Sequence, residues 1–429
     1  MIYNNHPKMK HIYVGVDTHK LEHTAVVIDC FNEQIDILTF NNNEKGFTNL
    51  IDMVKKYAVD GITAIYGLED TKHLGRSLAT FLLDKNCDVR HVNSTLTFNE
   101  RKKYPIISKT DEIDASCIAK VTLDNLDSLP KVRNDKSYWT LKQIVRMKKA
   151  LVHDNIKAKN KLHAQLLHHY PYYKDFFYDI DGKTALEFWE RFPCPKLMTL
   201  SIEELTDFLA VLSKKVFGVK KATQIYNLIH NENYGLDYKN ETNLLIIMLA
   251  KQIKHNNKQI KEIEESIITL YDELGFKLHT MNGLSKITSA EIISNIGNIN
   301  RFENKDKLAR YAGIAPVNFS SGNKDKSIRN EYGNRDLNSN IYNLAIRSIS
   351  PGNSKQKPHN PIFLEYYHRK LSQGKNKQQA VTCVMRRLIN IIYVMLKENT
   401  EYQVSEKLNK ECMNIYESKL KSVIEKARK

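Results

Sequence analysis

The sequence has little cysteine and no long apolar run. Six cysteines occur among 429 residues, and no two of them form a Cys-x-x-Cys pair. Their spacing matches neither a zinc site nor a disulfide framework, so we expect buried thiols in a reducing cytoplasm. No apolar run reaches the ~18 residues of a membrane span, and the first ten residues lack the apolar stretch of a signal peptide. These absences argue against a disulfide-rich secreted protein and predict a cytoplasmic protein without membrane contact.

Basic residues are in clear excess over acidic ones. The chain has 65 Lys and Arg against 49 Asp and Glu, which gives a net charge of +16 and a pI near 9.3. Such an excess predicts a polyanionic partner, most commonly nucleic acid, although abundant Asn and Ile indicate that AT-biased coding contributes. With 41% hydrophobic and 27% charged residues the chain is globular. Its length predicts two or three domains.

The first third alternates apolar β-rich runs with amphipathic stretches. The predicted order is β-β-β-α-β-α-β-α, which is the order of an RNase H-like (RuvC-like) α/β domain with a mixed five-stranded sheet. A polar loop is expected between the fifth strand and the last helix. The predicted strands are 11–17, 24–28, 35–40, 62–69 and 88–92, and the helices are 45–57, 74–83 and one that begins near Thr110.

The central part is basic and helical. Residues 142–169 have helical periodicity and predict a long basic helix, either a contact surface for nucleic-acid backbone or simply a solvated helix face. Residues 170–240 carry an aromatic cluster that is typical of a small helical subdomain core. The predicted phosphate contacts on the long helix are Lys142, Arg146, Lys149, Lys157 and Lys161.

Residues 246–274 repeat apolar positions with a regular 3-4 spacing over four heptads, interrupted only by Asn256. This pattern favours a coiled coil, and a buried Asn can fix its register and partner number. An intramolecular helix pair would use the same pattern. The predicted divisions are 1–130 (RuvC-like domain), 131–240 (basic helical region), 241–278 (coiled-coil oligomerisation segment), 279–400 (mostly helical C-terminal domain) and 401–429 (charged tail).

Four carboxylates form the strongest candidate site. Asp17 and Glu69 each end a predicted strand, and these two strands are neighbours in an RNase H-like sheet. Asp111 and Asp114 are spaced i, i+3, which places them on one helix face. Converging carboxylates need cations between them, and two Mg²⁺ (or Mn²⁺) ions can serve a phosphodiester displacement. Taken alone, an Asp-x-x-Asp pair is more often a charge pair at a helix N-terminus, and only the ordered set of four carboxylates on a matching fold order indicates a metal site.

The C-terminal region offers a second candidate site. Gly283 lies in a turn between two predicted helices, a device that exposes backbone N–H groups to phosphate. Ser320 and Ser321 precede Gly322 in a predicted loop, which is ordinary turn chemistry unless a metal site and basic residues activate a serine. No Gly-x-Ser-x-Gly context supports an acyl-transfer hydrolase. The basic residues expected to contact nucleic acid here are Lys324, Arg329 and Arg335.

The motifs together resemble a known family. In the first part they are Gly15-Val16-Asp17, Gly67-Leu68-Glu69 and Lys109-Thr110-Asp111-Glu112-Ile113-Asp114. In the second they are Asn282-Gly283-Leu284, Ala312-Gly313-Ile314-Ala315-Pro316, Ser321-Gly322 and Gly333-Asn334-Arg335. From about Ile12 to Lys397 the chain resembles the DEDD transposases of insertion-sequence family one hundred and ten, the bridge-RNA-guided serine recombinases.

The resemblance implies a DNA-recombining enzyme. Asp17, Glu69, Asp111 and Asp114 would be its metal-binding tetrad, and Ser321 its nucleophile, which forms a 5′-phosphoserine with DNA. It also implies a structured bridge RNA that specifies target and donor DNA, and a homodimer or homotetramer in which the tetrad of one protomer serves the serine of another.

Several alternatives stay open. The neighbouring Ser320 and Asp70 compete with Ser321 and Glu69, and Asn282-Gly283-Leu284-Ser285 replaces the family's Gly-rich hairpin. The rival functions are an RNA-independent site-specific DNA invertase, a Holliday-junction-type nuclease that uses the tetrad alone, and a non-catalytic nucleic-acid-binding protein.

Overall fold

The computed structural model describes residues 6–59, 61–70, 73–103, 110–133, 136–230, 240–321, 324–328, 330, 333–350 and 358–428. Side chains are described at all of these positions except 240, 317–321, 324–328 and 419–428. The chain divides into two compact units, Met1–Asp135 and Lys136–Lys429.

A mixed five-stranded sheet forms the centre of the first unit. Its strands are β1 (His11–Thr18), β2 (Glu22–Ile28), β3 (Gln34–Asn41), β4 (Thr63–Leu68) and β5 (Asp88–His91). The strand order is β3-β2-β1-β4-β5, with β1 antiparallel to β2 and parallel to β4. The predicted mixed sheet is therefore confirmed, and each predicted strand end lies within two residues of the observed one.

The described residues of this unit form four α-helices beside the sheet: α1 (Glu44–Lys55), α2 (Arg76–Asp84), α3 (Ser94–Arg101) and α4 (Asp111–Asp124). The prediction of an unbroken polar loop after β5 is wrong at α3. Asn93 caps this helix by accepting a hydrogen bond from the Thr95 amide. Thr97 and Glu100 are its buried residues, so a polar sequence forms a helix because one polar face packs against α4.

The two faces of β1 have different neighbours. Ile12, Val14 and Val16 belong to the core that contains residues of α1 and α2. Tyr13 belongs to the opposite core, which contains Ala115 and Ala119 of α4. Because side chains alternate along a strand, Gly15 lies on the α4 side of the sheet.

Two glycines let α4 lie directly on the sheet. Gly15 pairs with Gly67 in the parallel register of β1 and β4. A Cβ atom on Gly15 would lie 2.1 Å from the Ala115 carbonyl oxygen, and one on Gly67 would lie 2.0 Å from the Thr122 Oγ1. Since even one methyl group would collide with the helix, the glycines fix how closely α4 approaches β1 and β4.

The second unit is mainly helical, and its described residues also include a two-stranded antiparallel sheet. Its elements are α5 (Lys136–His169), α6 (Tyr173–Phe176), α7 (Lys183–Arg191), α8 (Ile202–Ser213), α9 (Val219–His230), α10 (Asn240–Leu274), α11 (Lys286–Ile296), α12 (Lys305–Tyr311), β6 (Val317–Ser321), β7 (Lys324–Ile328), α13 (Arg335–Ile349), α14 (Pro361–Ser372), α15 (Lys377–Glu398) and α16 (Glu406–Arg428).

The two long helices α5 and α10 pack along each other in opposite directions. The start of α5 and the end of α10 share one core, in which Leu141 and Ile267 are both buried. The end of α5 and the start of α10 share a second core, which contains Leu162 and Ile246. This second core also holds the aromatic cluster after α5, as expected for a helical subdomain.

The heptad seam of α10 is used within the chain. Ile246 and Ile253 are buried in one core and Ile267 in the other. Asn256 is 7% exposed, and its Nδ2 has no hydrogen-bond partner among the described residues. The seam thus serves the intramolecular alternative that its spacing left open, and an intermolecular coiled coil is not confirmed.

The helix α15 is the one helix in the described residues that is long and apolar enough to cross a membrane by length and composition. Half of its most apolar window is buried, and Val384, Leu388 and Ile392 belong to the C-terminal core. The predicted charged tail forms α16, which packs on α14.

Candidate active site

The four predicted carboxylates meet at one edge of the N-terminal sheet. Asp17 is the penultimate residue of β1, and Glu69 directly follows β4. Asp111 and Asp114 lie in the first turn of α4. Asp17 has Asp111 and Asp114 as electrostatic neighbours, and Glu69 has Asp17 and Asp114. The structure therefore brings together all four side chains that the sequence selects.

Local geometry explains this convergence. Asp17 follows Gly15 by two residues, and Glu69 follows Gly67 by two residues. Because side chains alternate along a strand, both carboxylates lie on the side of the sheet that α4 covers. The hydroxyl of Thr110 accepts a hydrogen bond from the Ile113 amide at 3.2 Å and starts α4 at Asp111. The positive end of the helix dipole thus lies among the carboxylates.

The Asp17 carboxylate is largely withdrawn from water, with 16% of its side chain exposed. Burial raises the pKa of Asp17, and the nearby Asp114 and Asp111 carboxylates raise it further, whereas His19 lowers it. A buried anion among other anions gains from any cation that enters, because each contribution that raises its pKa disfavours the charged form.

Glu69 has a similar environment. Burial raises the pKa of Glu69, and the Asp17 and Asp114 carboxylates add to this, while the Thr97 hydroxyl and the Arg101 guanidinium oppose it. The net pKa is raised, so the protein groups around Glu69 do not fully compensate its negative charge.

His19 is a member of the site that the sequence reasoning missed. Its Nδ1 lies 3.7 Å from an Asp17 carboxylate oxygen, and its Nε2 lies 3.7 Å from an Asp111 carboxylate oxygen. One ligand atom from each of these three residues lies within 4.8 Å of the others, a grouping able to hold a metal ion. The sequence feature that could have indicated His19 is its position two residues after Asp17, at the end of β1.

Arg101 is the second residue that was missed, because it ends the unpredicted helix α3. Its Nη1 donates to the Asp114 carboxylate at 2.6 Å. Asp114 is buried, with 11% of its side chain exposed, so this charge-assisted hydrogen bond holds it in place at the site.

Two neighbouring carboxylates are engaged elsewhere. Asp70 accepts hydrogen bonds from the amides of His73 at 2.9 Å and Leu74 at 3.0 Å. Glu112 accepts one from the Gln34 side chain at 3.2 Å. The first arrangement favours Glu69 over Asp70 as the strand-end ligand, because the Asp70 oxygens already serve the backbone.

The predicted serine loop is a β-hairpin instead. Ser320 and Ser321 end β6, and the backbone of Ser321 pairs with that of Lys324 at the start of β7. The prediction of a loop at these two serines is therefore wrong for their backbone, since Phe319 to Ser321 continue the strand. The side chains of Ser320, Ser321 and Lys324, and the whole of Arg329, lie outside the described residues.

Asparagines hold the base of this hairpin against the end of α12. The Asn330 Nδ2 donates to the Arg310 carbonyl at 3.0 Å. The backbone N–H of Asn334 donates to the Tyr311 carbonyl at 2.7 Å, and the Asn338 Nδ2 donates to the Ala312 carbonyl at 2.9 Å. Three consecutive carbonyls at a helix end are thereby satisfied.

Two glycines complete this base. Gly313 has φ +67°, and a Cβ on Gly333 would lie 2.3 Å from the Gly313 Cα. The chain entering the hairpin and the chain leaving it therefore touch backbone to backbone, which neither residue could do with a side chain. Ser321 belongs to the second unit, whereas the four carboxylates belong to the first.

The predicted phosphate turn precedes α11. Gly283 has φ +91°, and its carbonyl accepts a hydrogen bond from the Arg347 side chain at 3.3 Å. Ser285 caps the helix and forms a capping box with Thr288. The turn has the left-handed backbone that its glycine suggests, while the first N–H groups of α11 are partly occupied by these two side chains.

The basic residues of α5 have unequal surroundings. Arg146 and Lys161 are exposed. Lys149 forms a 3.1 Å ion pair with Asp336, and Lys157 forms one of 3.2 Å with Asp154. Lys142 is half-buried near the Tyr311 hydroxyl. Burial raises the pKa of Tyr311, but Arg301, Asn334 and, to a smaller extent, Lys142 lower it, and the net pKa is lowered. Arg146 and Lys161 are therefore the most available of the five predicted phosphate partners.

Comparison with known proteins points to transposases in both units. Residues 14–171 match the IS110 DEDD family, described as Transposase. Residues 276–367 match a second family, described as Transposase IS116/IS110/IS902 family. The first match contains all four carboxylates, and the second contains the β6–β7 hairpin.

Individual proteins agree. The chain is 24% identical to the insertion element IS116 44.8 kDa protein of Streptomyces clavuligerus, over 90% of this chain and 95% of that protein. It is 21% identical to the insertion element IS110 43.6 kDa protein of Streptomyces coelicolor, over 91% and 95%. It is also 29% identical to the pilin gene-inverting protein of Moraxella lacunata, over 35% of this chain and 47% of that protein.

Proposed function

Because this chain belongs to the IS110 family of transposases, we propose that it cuts and rejoins DNA through a metal-binding carboxylate tetrad and a serine nucleophile. Its enzyme class, a DNA transposase or recombinase, follows from the family. The observation that carries the mechanism is the convergence of Asp17, Glu69, Asp111 and Asp114 at one sheet edge. The mixed sheet beneath them is compatible with an RNase H-like domain.

The donor set fits hard divalent cations. Asp17, Glu69, Asp111 and Asp114 offer carboxylate oxygens, which Mg²⁺ and Mn²⁺ prefer as ligands. Burial and mutual repulsion raise the pKa of Asp17 and of Glu69, so positive charge is favoured there. When bound, such ions would stabilise the attacking and leaving oxygens of a phosphodiester. Arg101 orients Asp114 for this role.

Ser321 is the proposed nucleophile. Its Oγ attacks a DNA phosphorus and loses its proton, while the P–O3′ bond breaks and the departing 3′ oxygen gains a proton. The product is a 5′-phosphoserine and a free 3′-hydroxyl, which conserves the phosphodiester energy for rejoining. The hairpin base at Gly313 and Gly333 supports this step, because it holds the two ends of the serine hairpin rigidly together.

A structured bridge RNA is the proposed guide, and a homodimer or homotetramer the proposed assembly, with the tetrad of one protomer serving the serine of another. Protein contacts would then reach mainly backbone phosphates and RNA shape. The enzyme would act on DNA in the bacterial cytoplasm. The proposed nucleic-acid contacts are Lys142, Arg146, Lys149, Lys157, Lys161, Gly283, Lys324, Arg329 and Arg335.

A covalent trapping experiment tests the mechanism. The protein is incubated with Mg²⁺, RNA transcribed from the DNA beside its gene, and a nicked suicide DNA substrate. A protein–DNA adduct should survive denaturation in the wild type and in Ser320→Ala, but not in Ser321→Ala or Asp111→Asn. Loss of the adduct in Ser320→Ala alone would move the nucleophile by one residue.

The same experiment separates the rival mechanism. If Ser321→Ala still cleaves DNA and the wild type never forms an adduct, the tetrad hydrolyses DNA by itself, as a Holliday-junction-type nuclease does. If Asp17→Asn leaves cleavage intact, the carboxylates are not catalytic at all.

The similarity to a pilin gene-inverting protein favours one second candidate, a site-specific DNA invertase. The form of this candidate that differs from the first proposal is an invertase that works without RNA. Purification from the native host discriminates the two. A transcript from the flanking DNA should co-purify and be required for recombination, whereas full activity after ribonuclease treatment supports the invertase.

A further inference from the structure

A groove of about 1040 Å³ lies beside the base of the serine hairpin in the second unit. Gly313 and Gly333 form part of its wall, so the groove begins where the chain enters and leaves β6 and β7. The helices α13 and α15 supply most of the remaining described lining. We call this space the α13–α15 groove.

The groove is positively charged. Arg335 is the first residue of α13, and Lys377 is the first residue of α15, so two helix N-termini and two cations line one space. Neither cation forms an ion pair with a residue that the structure describes. The described lining also contains no acidic residue. This charge pattern fits an anionic ligand.

Aromatic and apolar side chains line the same groove. Tyr342 is 45% exposed and Ile346, one turn along α13, is 37% exposed. Tyr367 of α14 lines the groove as well. Tyr367 is half-buried against the C-terminal core, so Tyr342 is the exposed ring. An exposed ring beside cations makes a stacking platform, because every nucleic-acid base offers a π-face while its phosphate meets the cations. A simple phosphate would not use the rings, and an apolar peptide would not use the cations.

We propose that the α13–α15 groove holds unpaired nucleotides of the DNA strand next to the cleaved phosphate, with a base stacked on Tyr342 and phosphates at Arg335 and Lys377. This assignment rests on the proposed function. It gives the groove a role in placing the phosphate, since the groove borders the base of the hairpin that carries Ser321 at its other end. Tyr342 is then a positioning residue rather than a catalytic one.

Binding of single-stranded DNA by the full-length protein tests the assignment. The probe is a short strand that contains a fluorescent adenine analogue, whose emission falls when it stacks. Tyr342→Ala should weaken binding by about 5- to 150-fold, the range expected for loss of one stacked base, and should abolish the quenching. Tyr342→Phe should keep both, because the ring remains.

The charge of the groove is tested separately. Lys377→Gln should weaken binding, and the slope of log affinity against log salt should become shallower by about 0.7, as expected when one single-strand phosphate contact is lost. Tyr178→Ala is the matched control, since Tyr178 is a fully exposed tyrosine outside the groove. Its affinity and quenching should equal those of the wild type.

Three results would overturn the assignment: unchanged binding and quenching in Tyr342→Ala, equal losses in Tyr178→Ala, or quenching only with RNA of the same sequence. The trapping assay separates this failure from failure of the proposed function. A wild-type adduct that forms at the same rate in Tyr342→Ala removes the groove but keeps the serine mechanism. Specific strand binding without any adduct keeps the groove as a strand site but removes the mechanism.

Discussion

Gly15 and Gly67 stand side by side on parallel strands, and each leaves no room for a methyl group beneath α4. The obstacles differ. A Cβ on Gly15 would meet the Ala115 backbone oxygen, whereas one on Gly67 would meet the side-chain oxygen of Thr122. The Ala115 backbone cannot move without shifting the whole of α4, and with it Asp111 and Asp114. The Thr122 side chain, in contrast, can be shortened by substitution.

Gly15→Ala should destabilise the protein by about 1–3 kcal/mol, the usual cost of overpacking a core, and should reduce DNA cleavage. Gly67→Ala should also destabilise it, but Gly67→Ala combined with Thr122→Ala should recover part of the loss because the obstructing hydroxyl is removed. Denaturant unfolding of the three variants measures this. Full tolerance of Gly15→Ala would mean that α4 does not rest on the sheet as described.

Asp17→Asn and Glu69→Gln should abolish cleavage yet stabilise the metal-free protein near neutral pH. The folded pKa of each acid is raised, so its favourable contribution is present at low pH and is lost as pH rises through that pKa. A neutral amide avoids this loss. In EDTA, Tm should rise by about 2–4 °C for each kcal/mol gained, and the gain should shrink as pH falls through the raised folded pKa of each acid.

Mg²⁺ provides the control for that prediction. It should raise Tm of the wild type and have little effect on the two amide variants, since a metal-holding carboxylate is missing. If both variants are less stable than the wild type in EDTA at neutral pH, the carboxylates are not the repelling cluster that their environment indicates.

His19→Ala should weaken metal binding most at the acid end of the pH range. His19 lowers the pKa of Asp17 against the larger effect of burial, so its removal should raise that pKa further. Protons then compete with the metal up to a higher pH. Calorimetric titration with Mg²⁺ at pH 6 and pH 8 measures the difference. An equal loss at both pH values would instead identify His19 as a direct ligand.

Arg101→Ala should destabilise the metal-free protein by about 1.5–3 kcal/mol, the range for a hydrogen bond to a charged group, because Asp114 is buried and loses its partner. Mg²⁺ should restore part of the loss, since a cation can replace the guanidinium. Lys55→Ala is the control, because its pair with Asp52 is exposed and worth little. The readout is Tm with and without Mg²⁺.

The sequence predicts the part of the site that local periodicity determines. The strand ends at Asp17 and Glu69 and the i, i+3 spacing of Asp111 and Asp114 select these residues as a set, although none of them is diagnostic alone. Arg101 was beyond reach, because α3 is polar and its helical state depends on packing against α4. His19 was missed because its role depends on its proximity to Asp111 in the folded protein, which the periodicity of the sequence does not specify.

The α10 seam shows a different limit. Its 3-4 spacing specifies a helix that packs along another helix, and α5 of the same chain satisfies it as well as a second copy would. Spacing carries no information about which chain supplies the partner. At Ser320 and Ser321, turn-forming residues concealed the end of a strand, because Ser and Gly are as common at hairpin tips as in loops.

The tripeptides Gly15-Val16-Asp17 and Gly67-Leu68-Glu69 share one spacing, glycine to acid in two steps. Adding or deleting one residue between a glycine and its acid would turn the acid to the opposite face of the sheet, while the glycine would still lie beneath α4. Substitution of the middle residue by another apolar residue leaves the acid on the same face of the sheet. The site therefore tolerates changes in composition between each glycine and its acid better than changes in length, because only the number of residues decides on which face of the sheet the carboxylate lies.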